Sequence, residues 1–196
     1  KTDFNRSLTL LKNGFSLITV KDDKTPNIRW KKYQTEAMDI DTFANFYSMD
    51  STAGIGICTG YQGLEVVDVD LKVFTSVPEQ EKFWNELLSF LRDNIYDFDQ
   101  KFVVVKTRNA GYHILYKCKK ISGNSKIAVL EGMKEAVIES RGIGGYVWIY
   151  DQFIIGKNYT GIHDISEEDR EILWSCCRMF NYEKQQVDVH IEKIEK

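Results

Sequence analysis

The stretch Gly63 to Asp70, GLEVVDVD, drives an apolar run straight into two aspartates spaced two apart. Strand side chains alternate between faces, so Asp68 and Asp70 emerge on one side, with Val67 and Val69 on the other. Two carboxylates side by side at the end of an apolar strand repel each other and have lost part of their water. Such a pair asks for a cation between its members, and a divalent metal is the usual one.

The rest of the chain reads as short strands with a few helices. FNRSLTLLKNGFSLITV is expected to form a helix and then a strand, and KDDKTPNIRW a loop held by Pro26. DIDTFANFYSM suits a short helix capped by Asp39 or Asp41. AGIGICTG and GLEVVDVD, divided by Gly60-Tyr61-Gln62-Gly63, read as a first β-hairpin. A helix is predicted from about Pro78 to Asp93, with the proline in its first turn and Phe83, Leu87, Phe90 and Leu91 in one stripe. KFVVVKT and YHILYKC, joined by RNAG, make a second hairpin; AVIES and YVWIY, joined through RGIGG, make a third. SEEDREILWSCCRMF is a final helix opened by a capping box at Ser166 and Asp169. Successive hairpins with covering helices are an α+β pattern. Residues 1–180 are expected to form the domain, in one lobe or two packed lobes, and 181–196 a charged tail or linker.

Composition narrows the class. At 43 % hydrophobic and 28 % charged the chain is globular in type, and its 196 residues are ample to bury a core. No apolar run approaches the roughly eighteen residues of a membrane span, and no signal-peptide pattern opens it. Beginning at Lys1, it reads as a piece of a longer protein. Cys58, Cys118, Cys176 and Cys177 contain no CxxC, which argues against structural zinc or a disulfide framework and for a reducing, cytoplasmic setting. Net charge is −3, yet seven cations and no acid lie between Lys101 and Lys126, a local patch suited to a polyanion.

Three polar features fall on strands at or near turns. Asp68 and Asp70 are the first; His113, just after Ala110-Gly111 and flanked by Lys106 and Arg108, is the second; Glu139 with Arg141, leading into Gly142, Gly144 and Gly145, is the third. Three acids, a histidine and several cations around glycine-rich turns suit a two-metal site for a nucleotide. Carboxylate oxygens are hard ligands for Mg²⁺ or Mn²⁺, and two such ions can clamp an attacking 3′-oxygen and an α-phosphate. Arg and Lys suit the outer phosphates, to which a histidine can donate. Other motifs are excluded. Gly54, Gly56 and Gly60 miss the dinucleotide spacing and lead into a strand, and neither a Walker loop nor a GxSxG elbow occurs.

At these residues the chain resembles the bifunctional primase–polymerase domain of the archaeo-eukaryotic primase superfamily. The resemblance is an ordered series: a loop from Lys24-Thr25-Pro26 to Trp30, then GIGICTG, GLEVVDVD, TRNAGYHILYKC, VIESRGIGGYVWIY and FIIGKNYTGIHDISEEDREILW, over roughly residues 10–180. It implies a primase–polymerase core whose catalytic half is an RNA-recognition-like antiparallel sheet. It further implies metal binding by Asp68, Asp70 and Glu139, contact of His113 with the incoming nucleotide's phosphates, and phosphate binding by Arg141. Arg108 and Lys106 join the nucleotide-binding set from charge and position alone. The chain departs from the family in having glutamate where the third acid is often aspartate, IYDQF where Pro-Pro-Ser is common, and Gly111 where some members carry serine.

The expected activity is template-dependent nucleotidyl transfer, a DNA primase/polymerase joining nucleoside triphosphates on single-stranded DNA with two Mg²⁺ or Mn²⁺ ions. Rings such as Tyr112 would stack template bases. A helicase or ATPase domain as partner, and plasmid or phage replication as setting, come from the resemblance. Two rivals stand beside it. A non-catalytic module gripping single-stranded nucleic acid would bind regardless of Mg²⁺, and a metal-dependent nuclease or phosphohydrolase would degrade DNA without consuming nucleotides.

Overall fold

The computed structural model describes residues 3–182. The chain begins with helix α1 (Phe4–Lys12), strand β1 (Leu17–Val20), helix α2 (Ile40–Tyr47) and strand β2 (Gly54–Cys58). Strand β3 (Leu64–Asp70), helix α3 (Val77–Asn94), the single turn α4 (Phe98–Lys101) and strands β4 (Val103–Thr107) and β5 (Gly111–Lys117) follow. The last elements are β6 (Ser125–Val129), β7 (Ala136–Arg141), β8 (Tyr146–Trp148), β9 (Gln152–Ile155) and helix α5 (Glu167–Arg178). Six strands form one antiparallel sheet in the order β6-β7-β3-β5-β4-β9, and three form another, β1-β2-β8. The fold is α+β. No helix among the described residues is long and apolar enough to cross a membrane. The expected tail at 181–196 lies, from residue 183 on, outside the described residues.

Local signals set the helices. Ser76 and Glu79 close a reciprocal capping box on α3, with Pro78 in the first turn. Asp39, rather than Asp41, caps α2 by accepting from the Thr42 amide. Ser166 caps α5 through the Asp169 amide, while the Asp169 carboxylate turns to the Lys101 ammonium at 2.8 Å.

Only the second of the three expected hairpins forms, β4 with β5. The other two pairs of strands are split between the sheets. β3 already has both edges occupied, by β5 and β7, and β7 has both occupied, by β3 and β6. Strands β2 and β8 therefore pair with each other in the smaller sheet. Glycines permit the crossings. A Cβ on Gly60 would lie 2.7 Å from the Ile143 backbone, and one on Gly142 would lie 1.9 Å from the Ser122 carbonyl. β6 and β9 are edge strands that the sequence pattern did not disclose.

Alternation along β3 divides the core. Val67 and Val69 pack with Ile114 and Tyr116 under Leu87 and Leu91 of α3 and Leu173 of α5. Leu64 and Val66 pack on the opposite face with Leu115 and Val105, against Ile18, Ile55 and Ile57 of the smaller sheet. On β3 itself one polar residue interrupts the helix-covered side: Glu65 is fully buried. Arg170 of α5 clamps it with two bonds, Nε at 2.7 Å and Nη2 at 3.0 Å, and the Tyr116 hydroxyl and the Ser122 amide also donate to it. Trp174 donates to the Tyr116 hydroxyl at 3.0 Å, so α5 is tied to β3 through a network with no idle member.

Removing one partner of a buried, hydrogen-bonded pair strands the other charge, at a cost of roughly 3–5 kcal/mol. Arg170→Met should lower the unfolding free energy by about that amount in urea titration. A loss under about 1 kcal/mol would show that α5 is held by its apolar face alone.

Candidate active site

Register builds the site. Asp68 lies directly across from His113 on β5 and from Glu139 on β7, so three polar side chains stand in a row across the middle of the sheet. Directly paired residues share a face, and this one is turned away from α3 and α5. Asp70 follows two residues on, opposite Gly111, and Arg141 follows Glu139 on the same face. Across the resulting cleft, of about 480 Å³, stand Trp30, Tyr146, Trp148 and Tyr150, with Lys24 and Lys72 also in its lining. A smaller recess continues past His113 to Thr107 and Asn109.

The electrostatics are those of crowded, half-dried charges. The Asp68 side chain keeps 22 % of its surface exposed; burial, with Asp70 beside it and opposed by Arg141, lifts its carboxyl to about 6. Burial, aided by Asp68 and resisted by Arg141, also raises Glu139. His113 is 5 % exposed, and burial, reinforced by Lys24 and Arg141, lowers its pKa to about 3, so its ring is neutral. Its Nε2 lies 3.6 Å from Asp68, and its buried Nδ1 has no hydrogen-bond partner. Lys72 pairs with Asp70 at 2.6 Å; Arg141 pairs with Glu139 and reaches to within 4.0 Å of Asp68.

Asp68, Asp70, Glu139, His113 and Arg141 are thus brought together around one cleft. Lys106 is not. It sits opposite Tyr112 on β5, and so on the helix-covered face, one residue out of phase with His113. Arg108 lies beyond the end of β4, over the Trp148 ring at 5.2 Å and 3.6 Å from Asp22, which puts it behind the aromatic wall rather than in the lining. Tyr112 is stacked on Trp84 at 3.7 Å, under α3, and does not face the cleft. Of the cations from Lys101 to Lys126, Lys101 is paired with Asp169, Lys106 stands on the helix-covered face of the sheet and Lys126, opposite Glu139, on the other.

Lys24, Lys72 and the aromatic wall were not singled out from the sequence as site residues. Tyr146, Trp148 and Tyr150 do carry a signal, since residues two apart in an extended segment share a face. Lys24 has none, because a left-handed backbone (φ 68°) turns its loop over the cleft. The Tyr146 hydroxyl, donating to the Lys24 carbonyl at 2.9 Å, pins that loop.

Among the described residues no three His, Cys, Asp or Glu side chains converge on one point as a finished metal centre, since Lys72 and Arg141 hold Asp70 and Glu139. The donor set nevertheless fits a hard divalent cation. It consists of carboxylate oxygens from neighbouring strands, and burial and mutual repulsion already resist their ionisation.

Asp68 binds its proton more tightly when folded, at about 6, than at its ordinary value of 3.8. The folded state therefore keeps a proton between those values that the unfolded chain has shed. That stabilisation is present below about pH 4 and is lost as pH rises through 6. In EDTA, Asp68→Asn should gain about 1–3 kcal/mol over the parent protein between pH 4 and pH 7, read by urea unfolding at both. Parallel pH profiles would mean that Asp68 titrates as an ordinary surface carboxylate.

A family model described as bifunctional DNA primase/polymerase, N-terminal, matches residues 7–171, a span that holds all three acids and, among the described residues, every strand. No curated protein matches the chain.

Proposed function

Because the chain belongs to the bifunctional DNA primase/polymerase family, we propose that its cleft joins nucleoside triphosphates along a single-stranded DNA template. The observation that carries this reading is the row His113–Asp68–Glu139, with Asp70 beside it, facing an aromatic wall rimmed by cations. A cleft of about 480 Å³ suits one nucleotide.

Asp68, Asp70 and Glu139 would hold Mg²⁺ or Mn²⁺, with Lys72 and Arg141 released from two of them. Bound there, the metal supplies positive charge to the attacking 3′-oxygen and to the phosphates. In the reaction the 3′-hydroxyl gives up its proton to solvent, its oxygen bonds to the α-phosphorus, the bond from that phosphorus to the bridging oxygen of the β-phosphate breaks, and pyrophosphate leaves. Arg141, once free of Glu139, offers a planar fork to a phosphate, and Lys24 and Lys72 offer point charges. His113 is neutral and so has a single N–H to give, on a ring already fixed by burial beside Tyr150. Tyr150, in the lining of the cleft, offers a ring on which any base can stack, leaving base choice to the template.

Nucleotide incorporation on primed and unprimed single-stranded templates tests the reading. Asp68→Ala/Asp70→Ala should lower incorporation by roughly 10²-fold or more, since charge stabilisation of that kind is worth at least as much. Mn²⁺ should raise the melting temperature of the parent protein and leave that of the double variant unchanged. Lys24→Ala should act mainly on KM for the nucleotide, as expected for binding of phosphates that do not react. A parent protein that grips template yet incorporates nothing with either metal would shift the assignment to a binding module, and template cleavage without nucleotide consumption would shift it to a nuclease.

A further inference from the structure

We infer that a basic groove beside the cleft, built on the stretch Asn27–Tyr33, carries the single-stranded DNA that the cleft copies. The inference rests on the polymerase reading and adds to it where the template runs. The groove, of about 560 Å³, is lined by Ile28, Tyr33 and Phe46 together with Arg29, Lys31 and Lys32, and no carboxylate shares the lining. From Lys24 to Thr35 the chain has four cations and no acid, against a net charge of −3 overall.

The cations beside the acids of the cleft are held by carboxylates, Lys72 by Asp70 and Arg141 by Glu139, and Arg108 lies 3.6 Å from Asp22. Among the described residues no carboxylate pairs with Arg29, Lys31 or Lys32, all three are exposed, and Lys32 sits over the Tyr33 ring at 4.8 Å. Three like charges within four residues repel one another, and such an array is suited to an external polyanion.

The groove is also preformed. The Asn27 side chain accepts from Thr19 at 2.6 Å and donates to Ser51 and Thr52 at 2.9 Å each, while the Ser16 hydroxyl donates to the Tyr33 carbonyl. Trp30, within the same stretch, lines the catalytic cleft with its ring edge against Tyr146 at 4.9 Å. A strand lying on Arg29, Lys31 and Lys32 is therefore one residue from the nucleotide site. The half-buried Ile28 and Phe46 offer an apolar surface to an unstacked base, which a single strand presents and a duplex does not.

The test is fluorescence anisotropy with a labelled oligo-dT and a duplex of equal length, in EDTA and without nucleotide. Arg29→Gln/Lys31→Gln/Lys32→Gln should weaken oligo-dT binding at least tenfold at low salt. It should also flatten the plot of log affinity against log salt by about 2, three phosphate contacts at roughly 0.7 each. The control Lys119→Gln/Lys120→Gln/Lys157→Gln removes equal charge elsewhere and should bind as the parent does. Phe46→Ala should narrow the preference for oligo-dT over duplex. Equal weakening by both triple variants, parent-like binding by the groove variant, or no oligo-dT binding by the parent protein would each overturn the inference. Because binding is read without metal or nucleotide, a protein that binds through the groove but never incorporates would refute the polymerase reading and leave the groove standing.

Discussion

Strand β3 is hydrogen-bonded on both edges, and the arrangement of the molecule follows from that constraint. Its register with β5 and β7 puts His113 and Glu139 on either side of Asp68. A shift of one residue on either side would exchange His113 for Ile114 or Tyr112, or Glu139 for Ile138 or Ser140, and break up the polar row. Register is held by more than backbone bonds. Val67 and Val69 are fully buried beneath α3 and α5, and Glu65 is clamped by Arg170, so a slipped β3 would bury Asp68 among the helices and expose the valines. The polar network on one face thereby fixes which residues stand on the other.

The charges of the site are mutually dependent. Burial works against the carboxylates of Asp68 and Glu139 and against the imidazolium of His113, raising the first two and lowering the third. Arg141 opposes the rise of both acids and deepens the fall of the histidine, so one guanidinium acts on three groups. Lys72 forms an ion pair with Asp70 at 2.6 Å. Carboxylates held in this way by side-chain cations are hard oxygen donors of the kind a divalent ion accepts.

Much of this was legible in the residues, and the failures have physical causes. The DxD alternation, Pro78 in the first turn of α3, the cap at Ser166 and the hairpin at RNAG are local signals, and each marks the element it announces. The hairpins expected at Gly60–Gly63 and Gly142–Gly145 depended on which strand edges remained free, and that is settled by partners distant in sequence. Lys106 was chosen for charge and proximity to His113, whereas strand parity, countable across the Arg108–Gly111 turn, pairs it with Tyr112. Tyr112 itself looked like a stacking platform and is stacked already, on Trp84. Lys24 reaches the cleft through a backbone conformation for which lysine carries no marker.

The two crossings that defeat hairpin prediction also make the cleft. Had β8 folded back on β7, Tyr146, Trp148 and Tyr150 would have extended the acid-bearing sheet and left the row of acids open to water. Pairing β8 with β2 instead raises a second wall, and small residues allow it to close. A Cβ on Gly54 would lie 2.1 Å from the Trp148 ring, so that ring rests directly on the backbone of β2. Gly145, likewise, leaves room for Asn124 and Thr59, either of which a Cβ would meet within 3 Å. The glycines of GIGICTG and RGIGG thus serve two purposes: Gly54 makes room for Trp148 within the smaller sheet, while Gly60, Gly142 and Gly145 stand where the chain crosses between the two sheets.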